Sequence, residues 1–208
     1  MPFLLRVELP DVPGSLGRVA TAIGEAGGDI DAIEIVEKRG GGLVVDDVLL
    51  ETVPGVMPDS IVSACNLLDG VRVLWISRYA AGGQIFLDLE AVEEMSADPA
   101  SAVERLVDLT PVTYRADWAV LLHRRDGIVH RTPTAPEQWP ADFTWPSLDG
   151  GGTLQLPAGW DDLVAAAATV DDDHLVVLVR RGGPEILDGE IVRFRHLTTL
   201  AASLARQG

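Results

Sequence analysis

The sequence predicts an α+β protein of two domains, on three observations. Over residues 1 to 80 the apolar periodicity runs in the order β-α-β-β-α-β, and the pattern changes after Ala80-Ala81-Gly82-Gly83, a linker-like stretch. Residues 85 to 208 then give two helices, a hairpin, a long aperiodic stretch, a helix, a central strand and a closing helix. A chain of 208 residues is long enough for two small domains that each bury a core. Its 47% apolar and 23% charged residues are the proportions of a packed fold.

The first strand is read from "FLLRVEL", residues 3 to 9. Phe3, Leu5, Val7 and Leu9 share one face, and Arg6 and Glu8 point the other way, as in a half-buried strand. From Ser15 the apolar positions become Leu16, Val19, Ala20 and Ile23, one helical face, so the first helix is placed at about 14 to 26 and ends at Gly27-Gly28. Two β-rich runs follow, 30 to 38 and 43 to 52, hinged on Gly40-Gly41-Gly42. After Pro54 and Pro58, the positions Ile61, Ala64, Cys65 and Leu68 mark a short second helix, which Asp69-Gly70 breaks, and "VRVLWISRY" alternates as a fourth strand. Right-handed crossovers then lay four antiparallel strands in one sheet with both helices on one face. The other face is left bare, and an apolar face left bare calls for a second subunit or domain.

In the second half, residues 85 to 95 and 100 to 115 read as helices, with Ala97-Asp98-Pro99 between them and Pro111 disturbing the second. "WAVLLHRRDGIVHRTP", 118 to 133, is a hairpin turning at Asp126-Gly127. Residues 134 to 160 hold Pro, Gly and Trp without a period, with one short strand expected near Thr153 to Leu156. A helix capped by Asp161 or Asp162 is expected to reach Val170, followed by the strand "HLVVLVRRG" and an amphipathic helix from Ile186 to Arg206.

The charge balance excludes one class of partner. The net charge is -16, and residues 1 to 80 carry 6 Lys and Arg against 12 Asp and Glu, with 10 against 20 in the remainder. A phosphate backbone is repelled by such a field, so no nucleic-acid partner is expected; the doublets Arg124-Arg125 and Arg180-Arg181 read as solvated hairpin ends. Cys65 is the single cysteine, which forbids an internal disulfide and suits a reducing compartment. With no leader-like or spanning run, the expectation is a cytoplasmic protein with no membrane partner.

One stretch carries a site. Pro13 fixes its own φ near the helical value and lacks an N–H that a helix start leaves unpaired, and Gly14 removes the side chain that would screen the following amides. The result is a notch whose free N–H groups favour a carboxylate. Within its β-α-β-β-α-β setting, "VELPDVPGSLGRVATAIGEAGGDI" resembles the signature of ACT domains, small modules that bind amino acids in metabolic enzymes and regulators. The resemblance covers residues 1 to 80. It implies a ferredoxin-like fold, a homodimer paired side by side or face to face, and a ligand held between the first loop of one unit and the neighbour's second strand. Here those positions are Asp11, Val12, Pro13, Gly14, Ser15, Leu16, Asp29 and Ile30. The family often has Asn before the Ile; Asp29 accepts but does not donate, which suits an ammonium and repels a carboxylate.

Residues 85 to 208 are similar to a GAF domain, a module for small-ligand or redox sensing. "WAVLLHRRDGIVH" and "HLVVLVRRGGPEILDGEIVRFRHLTTLAASLA", with its Gly-Pro turn and closing helix, carry that likeness. It implies a pocket lined by Trp118, Trp139, Phe143, Trp145 or Trp160, for which ordinary core packing is the plainer reading.

Other chemistry is thin. His123 and His130 flank the hairpin turn and would offer two metal ligands where zinc needs three or four, with His174 and His196 on other elements. "DDDH", 171 to 174, lacks the glycine and terminal Glu of a calcium loop. No Gly-x-Ser-x-Gly elbow is present, and "GGGT" at 150 to 153 lacks the lysine of a phosphate loop. The expectation is a non-catalytic regulatory protein that binds an amino acid through an ACT-like dimer and needs no cofactor or metal. A protein-interaction scaffold with an empty notch is the alternative; an enzyme requires residues 139 to 160 to close a pocket around His123 or His130.

Overall fold

The computed structural model describes residues 2–78, 83–182 and 185–208. The chain divides into two compact units, Met1–Ala81 and Gly82–Gly208. Ala80, Ala81 and Gly82 of the expected linker lie outside the described residues, as does the Gly-Pro turn at 183–184.

The first unit runs β1 (Pro2–Pro10), α1 (Ser15–Glu25), β2 (Gly28–Arg39), β3 (Leu43–Thr52), α2 (Pro58–Asn66) and β4 (Arg72–Arg78). Its sheet has the order β2-β3-β1-β4, antiparallel throughout. Phe3, Leu5, Val7 and Leu9 pack with Val44, Val48 and Leu50 beneath Val19, Ile23, Ile61 and Cys65 of the two helices. Each fully buried Leu or Ile there contributes about 1.5–3 kcal/mol of transfer free energy. The double glycine at the exit of α1 has a steric reason. A Cβ on Gly28 would stand 2.6 Å from Cγ2 of Ile23, so β2 can start only where no side chain intervenes.

The opposite face departs from the expectation of a bare apolar surface. Arg6 does not reach into solvent: its guanidinium holds Asp47 of β3 at 2.7 and 2.9 Å, with the two side chains 2% and 4% exposed. Glu8 accepts from Arg39 at 2.8 Å and from Arg72 at 2.9 Å. Strand alternation placed these residues correctly on the second face, but their partners come from β2, β3 and β4, where only the sheet register brings opposite charges together.

The second unit runs α3 (Gly83–Ala97), a 3₁₀ turn (Pro99–Ser101), α4 (Ala102–Thr113), β5 (Trp118–His123), β6 (Gly127–Arg131), β7 (Gly151–Leu154), β8 (Leu163–Thr169), β9 (His174–Arg181) and α5 (Asp188–Ala205). Its sheet has the order β6-β5-β9-β8-β7. Alternate residues face two different layers. Ala119, Leu121, Ala166, Ala168, Val176 and Leu178 pack under the helices. Val120, Leu122, Ala165, Ala167, Val177 and Val179 pack under the aromatic loop that carries Trp139, Phe143, Trp145 and Trp160.

The helix expected from Asp161 to Val170 is instead the strand β8. Its four alanines, Ala165 to Ala168, are all buried and alternate between the two layers. Alanine favours a helix in isolation, but here the small side chains let covering layers approach both faces of a central strand, and burial overrides propensity. Nor do Asp161 and Asp162 cap a helix: the Asp162 carbonyl accepts the Gly182 N–H at 2.8 Å. Buried Arg180 donates to Glu190 at 2.5 Å and to the Tyr114 carbonyl at 2.6 Å, and Glu190 accepts the Leu187 N–H that opens α5. Among the described residues no helix is long and apolar enough to cross a membrane.

Candidate functional site

The loop from Asp11 to Gly14 leaves β1 at Pro10 and enters α1 at Ser15. Its shape follows from a few backbone bonds. The Asp11 N–H reaches the Gly42 carbonyl at 2.8 Å, the Val12 N–H turns back on Pro10 at 2.9 Å, and the Ser15 N–H is tied to Val12 at 3.2 Å. Gly14 is the residue before the first helical turn and has φ +91°, which L side chains rarely adopt. Pro13 therefore stands two residues before the helix, whose expected start at residue 14 moves to Ser15. A Cβ on Gly14 would meet nothing within 4 Å, so the corner is open. Among the described residues the Leu16 and Gly17 N–H groups have no acceptor, leaving two donors at the positive end of α1.

Beneath this corner lie two buried polar atoms without partners among the described residues, Oγ of Ser15 and Oδ1 of Asp46. Ser15 is 3% exposed and Asp46 2%. Asp46 pairs with Val7 across β1 and alternates with Val44 and Val48, which puts it on the helix-covered face, three residues down the sheet from Pro10. Burial pushes its carboxyl above the ordinary range, and the charges of Asp11 and Asp47 add to the shift. The site thus has two characters: amides suited to an anion, and a buried carboxylate suited to a cation. Lys38, at the far end of β2, holds Asp11 at 3.3 Å in an exposed pair.

Of the residues singled out in the sequence, the structure gathers Asp11, Val12, Pro13, Gly14, Ser15 and Leu16 at this corner. It does not bring Asp29 and Ile30 there. Ile30 is level with Leu50, and through it with Phe3, at the opposite end of the sheet. About 23 Å of strand separates it from Pro10, so within one chain those residues and the notch belong to different ends. Asp46 went unnoticed in the sequence, although "VVDDV" did carry a signal. Two adjacent acids in an apolar strand put one charge on each face, and Arg6 neutralises only that of Asp47.

Beside Asp46 and Val48 in the register stand Ile35 and Ile33 of the edge strand β2, 56% and 36% exposed. Among the described residues that edge has no strand partner within the sheet.

The other candidates resolve as follows. His123 and His130 do not face each other: the His123 ring lies 4.8 Å from that of His174, and His130 Nε2 is 2.8 Å from Oδ1 of Asp108 on α4. The acidic run 171 to 174 closes on itself, Asp171 Oδ1 accepting the Asp173 N–H at 2.9 Å and approaching His174 Nδ1 at 2.9 Å. Burial alone would raise the Asp171 carboxyl, but these bonds hold it below the usual range. Gly151 and Thr153 of the "GGGT" run lie on the edge strand β7. Of the tryptophans, Trp139 and Trp145 line a cavity together with Phe143, whereas Trp118 and Trp160 pack edge to face at 5.8 Å in the core.

A four-stranded antiparallel sheet of order β2-β3-β1-β4 with two helices on one face is a ferredoxin-like fold. Residues 3–58 match the ACT domain, and the first unit is an ACT domain of ferredoxin-like fold followed by a second sheet domain. A 74-residue stretch is 38% identical to NAD-dependent malic enzyme 1 of Bacillus subtilis (strain 168), covering 35% of this chain and 17% of the enzyme. The chain thus spans well under a fifth of that curated relative. Among solved structures, a formyltetrahydrofolate deformylase from Pseudomonas putida KT2440 aligns with a TM-score of 0.31 and 10% identity, over 47% of this chain and 39% of that one. An unknown protein from Galdieria sulphuraria aligns with a TM-score of 0.33 and 12% identity, over 99% and 92%.

Proposed function

We propose that this chain is a non-catalytic regulatory protein whose ACT domain binds a free amino acid in a homodimer. The observation that carries the reading is the pairing of opposite chemistries at one corner. The Leu16 and Gly17 amides lie open behind Gly14, and an unpartnered carboxylate, Asp46, is buried beneath them. An α-amino acid presents the complementary pair, a carboxylate for the amides and an ammonium for Asp46. The exposed Ile33 and Ile35 on the unpaired edge of β2 support a second copy at that edge. Related by a two-fold axis, it would bring its own Asp29 and Ile30 to the first chain's notch. The stretch shared with a malic enzyme supports a place in metabolism, and the second unit, read as a GAF-like sensory domain, receives the signal or adds another.

A thermal-shift screen of the twenty amino acids, with sedimentation measured in parallel, tests this. The expected result is a dimer whose midpoint rises with one or a few amino acids at millimolar concentration, and whose response is lost in Asp46→Asn. A monomer, or a dimer that no amino acid shifts, overturns the sensing reading. The same apolar edge favours a protein-interaction scaffold as the second reading: a partner bound with equal affinity by wild type and Asp46→Asn, with no amino-acid response, selects it.

A further inference from the structure

The second unit contains a cavity of about 320 Å³ at the turn end of the β5–β6 hairpin, the lower part of the range of small-molecule sites. Two kinds of wall enclose it. One is the aromatic loop, which contributes Trp139, Phe143 and Trp145; the other is the turn, which contributes His123, Arg124 and Arg125. The aromatic wall is rigidly built: Trp139 meets Phe143 edge to face at 5.2 Å and Trp160 at 5.4 Å, and Phe143 meets Trp145 at 6.4 Å.

Two features of these walls point to the same guest. In a chain with 32 acidic against 16 basic side chains, the lining carries two adjacent arginines, neither of which pairs with a carboxylate among the described residues. The acid in the lining, Asp126, places Oδ2 2.6 Å from Nδ1 of His123, which lines the same cavity. The exposed Arg124 stands against Trp145 at the rim, its guanidinium carbon 5.2 Å from the ring centre.

We propose that this cavity binds a small aromatic carboxylate, its ring against Trp139, Phe143 and Trp145 and its carboxylate on Arg124 and Arg125. A planar ring suits the aromatic wall, and a carboxylate matches the guanidinium fork. The site stands on this unit's own geometry and is independent of amino-acid binding by the ACT domain.

The test titrates the full chain by calorimetry and tryptophan fluorescence with 4-hydroxybenzoate, its neutral isostere 4-hydroxybenzamide, and the non-planar cyclohexanecarboxylate. The expected result is binding of 4-hydroxybenzoate at least about tenfold tighter than either analogue, a preference of the size one charge-assisted contact provides. In the Arg124→Gln/Arg125→Gln variant the carboxylate falls to the affinity of the amide; both arginines are exposed, so the melting midpoint stays in place. Absence of binding at millimolar concentration, equal affinity for acid and amide, or an undiminished preference in the double variant overturns the proposal. A silent amino-acid screen bears on the first unit alone, so the two failures are distinguishable.

Discussion

The sheet of the ACT domain is covered by helices on one face and laced by Arg6–Asp47 and by Glu8 with Arg39 and Arg72 on the other, whereas the sheet of the second unit lies between helices and an aromatic loop. The second sheet finds all its apolar cover in its own segment, since residues 132 to 160 wrap back over Val120, Val177 and Val179. The first keeps an edge strand with exposed isoleucines and a glycine corner with open amides. A sheet covered on both faces by its own segment offers a binding site as a cavity at its edge. One that leaves an edge and two amides open offers the places at which the proposed ligand and second copy would bind.

The sharpest way to break this comparison is to remove the charge pair that anchors the self-contained unit. Arg180→Met leaves Glu190 buried with its principal partner gone, at an expected loss of about 3–5 kcal/mol in urea unfolding followed by tryptophan fluorescence, with most of it restored in Arg180→Met/Glu190→Leu. A loss under about 1 kcal/mol would show that this unit does not depend on the pair. Next in size is Glu8→Gln, with an expected loss of about 2 kcal/mol at neutral pH. Burial by itself would raise the Glu8 carboxyl, but the bonds from Arg72 and Arg39 hold it below its ordinary 4.5. A carboxyl lowered by folding stabilises above its ordinary value and loses that contribution as pH falls through the folded one. Wild type and variant should therefore converge in acid, and a constant gap down to pH 2 would refute the ladder's role.

A smaller effect is expected at the corner. Gly14→Ala adds a methyl group that meets nothing, so its cost of about 1–2 kcal/mol comes from φ +91° alone, and amino-acid binding should weaken with it. An unchanged melting curve would mean that the loop relaxes freely. Smallest, and opposite in sign, is Asp46→Asn. Because folding raises this carboxyl, its charged form opposes folding above the ordinary value of 3.8, so the variant gains about 1 kcal/mol at pH 7 and nothing below pH 3. Equal stability at neutral pH would show that Asp46 is not strained by its burial.

Most of the ACT domain was legible because its signals are local. Leu16, Val19 and Ile23 mark a helix, Pro13 and Gly14 its mouth, and Gly40 to Gly42 a hairpin, whatever the rest of the chain does. The corner residues Asp11 to Leu16 were legible for the same reason. The alanine run was misread because Ala165 to Ala168 fit a helix and a two-sided central strand equally well; the choice rests on layers supplied by residues 102 to 205. His123 meets His174 rather than His130 because the pairing of β5 with β9, not the hairpin turn, sets its neighbour.

By itself, then, the sequence determined the element order of the first unit, the glycine corner and the net charge of -16, all of which follow from dihedral preference, periodicity and summed charge. Only the tertiary structure decided which acid is neutralised and which is left over. Arg6 and Asp47 are 41 residues apart, and register alone sends that arginine to Asp47 and leaves its neighbour Asp46 without a partner beneath the open amides. Charge pairing in a sheet depends on which residues lie opposite, and that is a property of the folded chain.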